Sequence, residues 1–208
     1  MDEELQLTQI VDTPGDFRPI DSGVYLSRQG LEERSSHLSA WASSARCQFA
    51  KVTDESHYSA RIEFGGQQHD LRLRSSRELA ALWKSLSPRP LYLDITGLRH
   101  QVWAPILRSA LEAGVDTKVI YVEPHQYQPS LTPTEGEIYD LSERIEGIAP
   151  IAGFASIARI RGDFCFVPLL GFEGTRVAFI MEHVQPAADR VIPIVGVPGF
   201  RPEFPFET

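Results

Sequence analysis

Cysteine is scarce in this chain, and long apolar runs are missing. Its 208 residues include two cysteines, Cys47 and Cys165, each inside an apolar, strand-like stretch. Two reduced core thiols are expected, and a disulfide-stapled scaffold is excluded. No His/Cys cluster has zinc-ligand spacing, so no metal is expected. No window approaches about 18 consecutive apolar residues, which excludes a membrane-spanning helix. The opening residues, MDEELQLTQI, are acidic and lack the apolar centre of a signal peptide, so a cytoplasmic location is expected. Positive charge is also in short supply. Twenty Lys and Arg stand against 28 Asp and Glu, a net charge of −8. A broad nucleic-acid surface needs a basic face, and this balance argues against one. Three motifs are missing as well: GxGxxG after a strand, a Walker A sequence and a GxSxG nucleophile elbow. No cofactor can be named from motifs.

What is present is a 42% hydrophobic, 23% charged chain, long enough to bury a core without staples. One domain spanning 1–208 is expected, with an N-terminal arm over 1–20 and a proline-rich tail over 196–208. Residues 23–27 read as a strand, 31–45 as a helix and 47–53 as a second strand. Two alternating runs, 58–64 and 68–74, flank Gly65-Gly66 and predict a hairpin at an edge, with Arg61, Glu63, Arg72 and Arg74 outward. Residues 76–86 form a helix, with Ser76 as N-cap and Glu78 in its first turn.

The central unit covers 89–124. A strand at 91–95 ends on Asp94 and Thr96, and Gly97 opens a turn. A helix over 101–113 presents Val102, Ile106, Leu107, Ala110 and Leu111, with Pro105 near its first turn. Gly114 stops it, and 118–122 read as a buried strand ending at Glu123. Residues 123–154 form a long, poorly periodic region of the kind that is usually functional. Strands at 164–170 and 191–195 flank a helix at 175–183. Strand–helix alternation predicts a three-layer Rossmann-like α/β sandwich, with a mostly parallel sheet and an inserted β-hairpin.

Three strand-to-helix turns share a layout: Gly30-Leu31-Glu32-Glu33-Arg34, Gly97-Leu98-Arg99-His100 and Gly171-Phe172-Glu173-Gly174-Thr175-Arg176. Glutamates here complement the positive helix N-terminus with no ligand at all. The arginines oppose that dipole. If Arg34, Arg99 and Arg176 face one cleft, they can hold a phosphate or carboxylate beside free backbone N–H groups. Asp94 is a candidate base, or simply a turn-forming aspartate. Glu123, His125 and Tyr127 follow the next strand and can line the same cleft.

The segments around Gly30–Ser35, Leu93–Leu98 and Leu169–Glu173 resemble a loosely described group of uncharacterised bacterial proteins. These carry a GYEERS-like turn, an IDIS-like strand end and a GFE turn, and their genes are often found near defence and mobile elements. Leu31 stands where an aromatic is common, and Thr96 where serine is usual. The resemblance implies a Rossmann-like fold and a role in phage defence or its signalling. It brings no established reaction or catalytic residue.

Three functions follow from these patterns. The first is a ligand-binding or sensor component for a nucleotide or related anionic small molecule. Its ligand contacts are Gly30, Arg34, Thr96, Gly97, Arg99, Glu123, His125, Gly171 and Arg176. The second is a nucleotide-processing hydrolase or glycosidase using Asp94, Glu173 and Glu32. The third is a non-catalytic assembly subunit that meets a protein partner through the 196–208 tail.

Overall fold

The computed structural model describes residues 8–13, 16–17, 19, 21–30, 33–38, 47–86, 90–123, 150–154, 164–170 and 174–195. They fall into two compact units. The first comprises residues 1–125 and 151–154, and the second 126–150 and 155–208.

The first unit is built on a six-stranded sheet. Its strands are β1 (Val24–Ser27), β2 (Gln48–Glu55), β3 (Ser59–Phe64), β4 (Gln67–Arg72), β5 (Leu91–Asp94) and β6 (Thr117–Ile120). They lie in the order β4-β3-β2-β1-β5-β6. β1 pairs parallel with both β2 and β5, and β5 pairs parallel with β6. The β2–β3 and β3–β4 pairs are antiparallel. The expected mostly parallel Rossmann-like sandwich with an inserted hairpin is therefore corrected to a mixed α/β sheet that is only partly Rossmann-like. The cause lies in the connections. β2 runs on past residue 53 to Glu55 and reverses through Ser56, whose backbone N–H donates to the Ser59 carbonyl at 2.8 Å. So short a link can join only antiparallel strands. The hairpin thus continues the sheet as a meander and is no insertion. Its second link is the predicted glycine turn, with Gly65 and Gly66 at φ 56° and 75°. The predicted outward residues, Arg61, Glu63, Arg72 and Arg74, are exposed.

Alternation along the strands sends side chains to two faces. Val24, Leu26, Ala50, Val52, Ile62, Leu91 and Leu93 build the larger core. Two helices close it, α1 (Ser76–Leu86) through Leu79, Leu82, Trp83 and Leu86, and α2 (His100–Glu112) through Val102, Ile106 and Ala110. The helix start is capped one residue earlier than expected, because Ser75 Oγ accepts the Glu78 N–H at 3.3 Å. Glu78 instead receives Arg72, through its backbone N–H at 2.7 Å and its guanidinium. Pro105 sits in the second turn of α2, buried, and Leu111 points away from the core, 60% exposed. The opposite sheet face is aromatic. Tyr25, Tyr92 and Cys47 are buried there, with Phe17, Leu38 and Phe49 packed against them.

β6 is an edge strand. Val119 is half-exposed, so the expectation of a buried strand fails there. Of the helix expected over 31–45, residues 33–38 are described. They hold a 3-10 turn, Glu33–Ser35, followed by the first helical residues at 37 and 38.

The second unit contains a short parallel pair, β7 (Leu169–Leu170) with β8 (Ile194–Val195). Between them lie α3 (Gly174–Val184) and a 3-10 turn at Ala188–Arg190. These strands form a sheet of their own. No helix among the described residues is long and apolar enough to cross a membrane.

Candidate functional site

In the parallel half of the sheet the chain leaves β1 for β2 on one side, while β5 and β6 lie on the other. Strand order reverses between β1 and β5, and open α/β sheets place their ligands outside the carboxyl ends of the strands at such a point. The segments leaving these two strands, Arg28–Gly30 and Ile95–Leu98, touch directly. A Cβ on Gly97 would stand well under 3.0 Å from the Arg28 carbonyl oxygen and 3.0 Å from the Gly30 nitrogen. Gly97 therefore makes room for a neighbouring backbone. Ser35 Oγ donates to the Gly30 carbonyl at 3.1 Å and pins the turn that follows.

Beneath this contact lies Asp94, the last residue of β5 and 1% exposed. Period-two alternation puts it on the same face as Tyr92 and beside Tyr25 of β1. Its two oxygens hold different parts of the fold. Oδ2 accepts the Tyr25 hydroxyl at 2.8 Å and lies 3.3 Å from His37 Nε2. Oδ1 accepts the Thr96 backbone N–H at 2.9 Å. Burial pushes the carboxyl upward. Hydrogen bonds from His37, from the Thr96 side chain and backbone, and from Tyr25 outweigh it, so Asp94 sits below its ordinary value and stays ionised. The Tyr25 phenol is pushed well above its ordinary value, first by burial and then by the neighbouring Asp94 charge.

From Asp94 a closed circuit can be traced. His37, 8% exposed, contacts Asp94 through Nε2, and its Nδ1 lies 2.9 Å from the Arg34 carbonyl oxygen. Arg34 Nη1 donates to the Tyr121 hydroxyl at 2.9 Å, with the guanidinium 5.4 Å above that ring. The next residue, Val122, donates its N–H to Thr96 Oγ1 at 3.0 Å. Thr96 returns to Asp94. One carboxylate thus ties together the segments after β1, β5 and β6.

A second buried carboxylate lies alongside. Glu55 ends β2, its side chain 2% exposed, with Arg28 Nη1 at 3.0 Å and Arg99 Nε at 3.5 Å. Glu55 Oε2 also accepts the Arg99 backbone N–H at 3.5 Å, at the N-cap of α2. The arginine expected to oppose this helix dipole is thereby offset by a buried anion. The guanidinium groups of Arg28 and Arg99 flank the buried Glu55 carboxylate, and that of Arg34 rests on Tyr121, in a chain whose net charge is −8.

Of the residues expected to form the site, Gly30, Arg34, Asp94, Thr96, Gly97 and Arg99 come together at these strand ends. Glu123 is exposed just after β6. Glu32, His125, Gly171 and Glu173 lie outside the described residues, as does the 196–208 tail. Arg176 belongs to α3 of the second unit, and its side chain is outside the description. Tyr25, Arg28, His37, Glu55 and Tyr121 were not anticipated. Tyr25 and Asp94 carried a usable signal, because strand alternation gives both an inward-facing register. Glu55 lay beyond the expected end of its strand. Among the described residues no group of three or more His, Cys, Asp or Glu is placed to hold a metal ion.

Chemically, Asp94 is a hub. Both oxygens are engaged and shielded, so in this arrangement it acts through Tyr25, His37 and Thr96. Among the described residues, the arginines and the half-exposed Tyr121 ring can meet a solute. No protein-family model, curated protein or solved structure matches the chain.

Proposed function

We propose that the first unit is a ligand-binding component for a nucleotide or a related anionic small molecule. The observation carrying this is Arg34, whose guanidinium donates to the Tyr121 hydroxyl and lies over that ring, while its own carbonyl meets the buried His37. A planar guanidinium suits a phosphate or carboxylate, and a half-exposed ring suits the face of a base. Arg28 and Arg99 add positive potential at the same end of the sheet.

The test is native mass spectrometry of the purified chain, followed by thermal unfolding with ATP, GTP, AMP and inorganic phosphate. A ligand present at about 100 times its dissociation constant stabilises by roughly 2.7 kcal/mol. In a chain of this size that is a rise of about 5–10 °C in midpoint. Arg34→Ala removes most of the rise. An apo mass together with an unchanged midpoint for all four solutes overturns the proposal. Turnover of a bound nucleotide in the same samples would favour the hydrolase alternative. The setting in phage defence rests on the sequence resemblance alone, and plaque counts on cells with and without the protein test it.

A further inference from the structure

We propose that His37 is the positioning residue of this site: set against Asp94, it fixes the Arg34 turn through its contact with the Arg34 carbonyl and so aims the Arg34 guanidinium. The inference rests on the anion-binding function proposed above. His37 Nδ1 lies 2.9 Å from the Arg34 carbonyl oxygen, and Nε2 lies 3.3 Å from Asp94 Oδ2. Nδ1 meets the carbonyl at hydrogen-bond distance and Nε2 approaches the carboxylate as an ion-pair contact, so the ring lies between a strand-end carboxylate and a loop carbonyl. The ring is buried, a poor arrangement for proton exchange with a substrate. It is a good arrangement for rigidity. Holding the Arg34 backbone fixes where its long, rotamer-rich side chain starts, and so removes part of the freedom it would otherwise lose on binding. The Tyr121 hydroxyl holds the other end.

The two amide residues separate this role from a purely structural one. Asparagine places its N–H₂ near the position of histidine Nδ1, and glutamine places its own near Nε2. His37→Asn therefore keeps a donor to the Arg34 carbonyl and loses the contact towards Asp94. His37→Gln does the reverse. Both variants and the wild type are titrated with ATP by calorimetry at low salt. Unfolding midpoints are measured alongside, and the Arg34 guanidinium resonances are followed by NMR without ATP, assigned by comparison with Arg34→Lys. The expected result is ATP affinity within about threefold of wild type for His37→Asn, and at least about tenfold weaker for His37→Gln. The Arg34 resonances keep their wild-type positions in His37→Asn and shift in His37→Gln.

Affinity that follows the unfolding midpoint in both variants overturns the positioning role, as does unchanged Arg34 resonances in His37→Gln. A wild type that ignores ATP, GTP, AMP and phosphate overturns the anion-binding function itself, and the positioning role with it. A wild type that binds while both variants match it overturns the positioning role alone.

Discussion

Replacing Gly97 with alanine adds one methyl group where two strand-end segments meet. The new Cβ would lie well under 3.0 Å from the Arg28 carbonyl oxygen, 3.0 Å from the Gly30 nitrogen and 3.2 Å from the Arg28 carbonyl carbon. All three are backbone atoms, so no side chain can swing aside. Relief requires the β1 and β5 exits to separate, and Asp94 opposes that because it binds Tyr25 on one strand and Thr96 beyond the other. Overpacking of this kind costs typically about 1–3 kcal/mol, and a backbone clash belongs at the upper end. For a chain of this length, roughly 3 kcal/mol lowers the unfolding midpoint by about 6–12 °C. Gly30→Ala is the control. Its Cβ would meet Ser35 Oγ at 3.2 Å and Gly97 Cα at 3.5 Å, both milder contacts than the backbone clash at Gly97. Stiffening of the unfolded chain by alanine offsets about 0.4–1 kcal/mol, so the control sits near wild type. Thermal unfolding followed by the fluorescence of Trp83, buried and bonded to Ser109 at 3.0 Å, reports on the first unit. If Gly97→Ala unfolds at the wild-type midpoint, or Gly30→Ala proves the worse of the two, the tight approach of the two segments is refuted.

Asp94→Asn leaves Tyr25 and His37 facing a neutral amide and costs about 3 kcal/mol at neutral pH, measured by chemical denaturation. The folded carboxyl lies below its ordinary 3.8, so its contribution is present above that pH and is lost as pH falls through the folded value. The gap between wild type and variant therefore closes in acid below 3.8. The Tyr25 phenol is raised by burial, so its stabilising effect is complete below its ordinary 10.0 and is lost as pH rises beyond it. In an alkaline spectrophotometric titration Tyr25 ionises only with unfolding, so Tyr25→Phe leaves the absorbance change before unfolding unaltered. Glu55→Gln weakens the contacts to Arg28 and Arg99, and both arginines are partly solvated. A loss of roughly 1–2 kcal/mol in a urea titration is expected, smaller than for Asp94→Asn.

Much of the first unit was legible because its local signals agree. Gly65-Gly66 between alternating runs has essentially one outcome, and α1 falls on the expected residues. What sequence periodicity cannot carry is strand partnership. β2, β3 and β4 look the same in sequence whether they extend the main sheet or stand apart as a ribbon, and the short reversal at Ser56 decides between the two. β6 was read as buried from its apolar letters, but its place at the edge leaves Val119 half-exposed. Within the site, Asp94, Thr96, Gly97 and Arg34 were visible because strand ends and turns mark them. His37 was not, since its contact with Asp94 comes from far away in sequence, and Tyr25 showed only an inward-facing register.

The Tyr25–Asp94 bond joins residues 69 positions apart, whereas β2, β3 and β4 pair with their immediate sequence neighbours. Closing the long loop costs entropy that the meander never has to meet, so the meander can form first and β1–β5 pairing follows. The carboxylate circuit is then expected among the last contacts made and the first released, which stopped-flow folding and unfolding of Asp94→Asn checks. Substitutions within it will hasten unfolding while leaving the folding rate nearly alone, and the lifetime of the native chain is set at the same atoms that shape its candidate site.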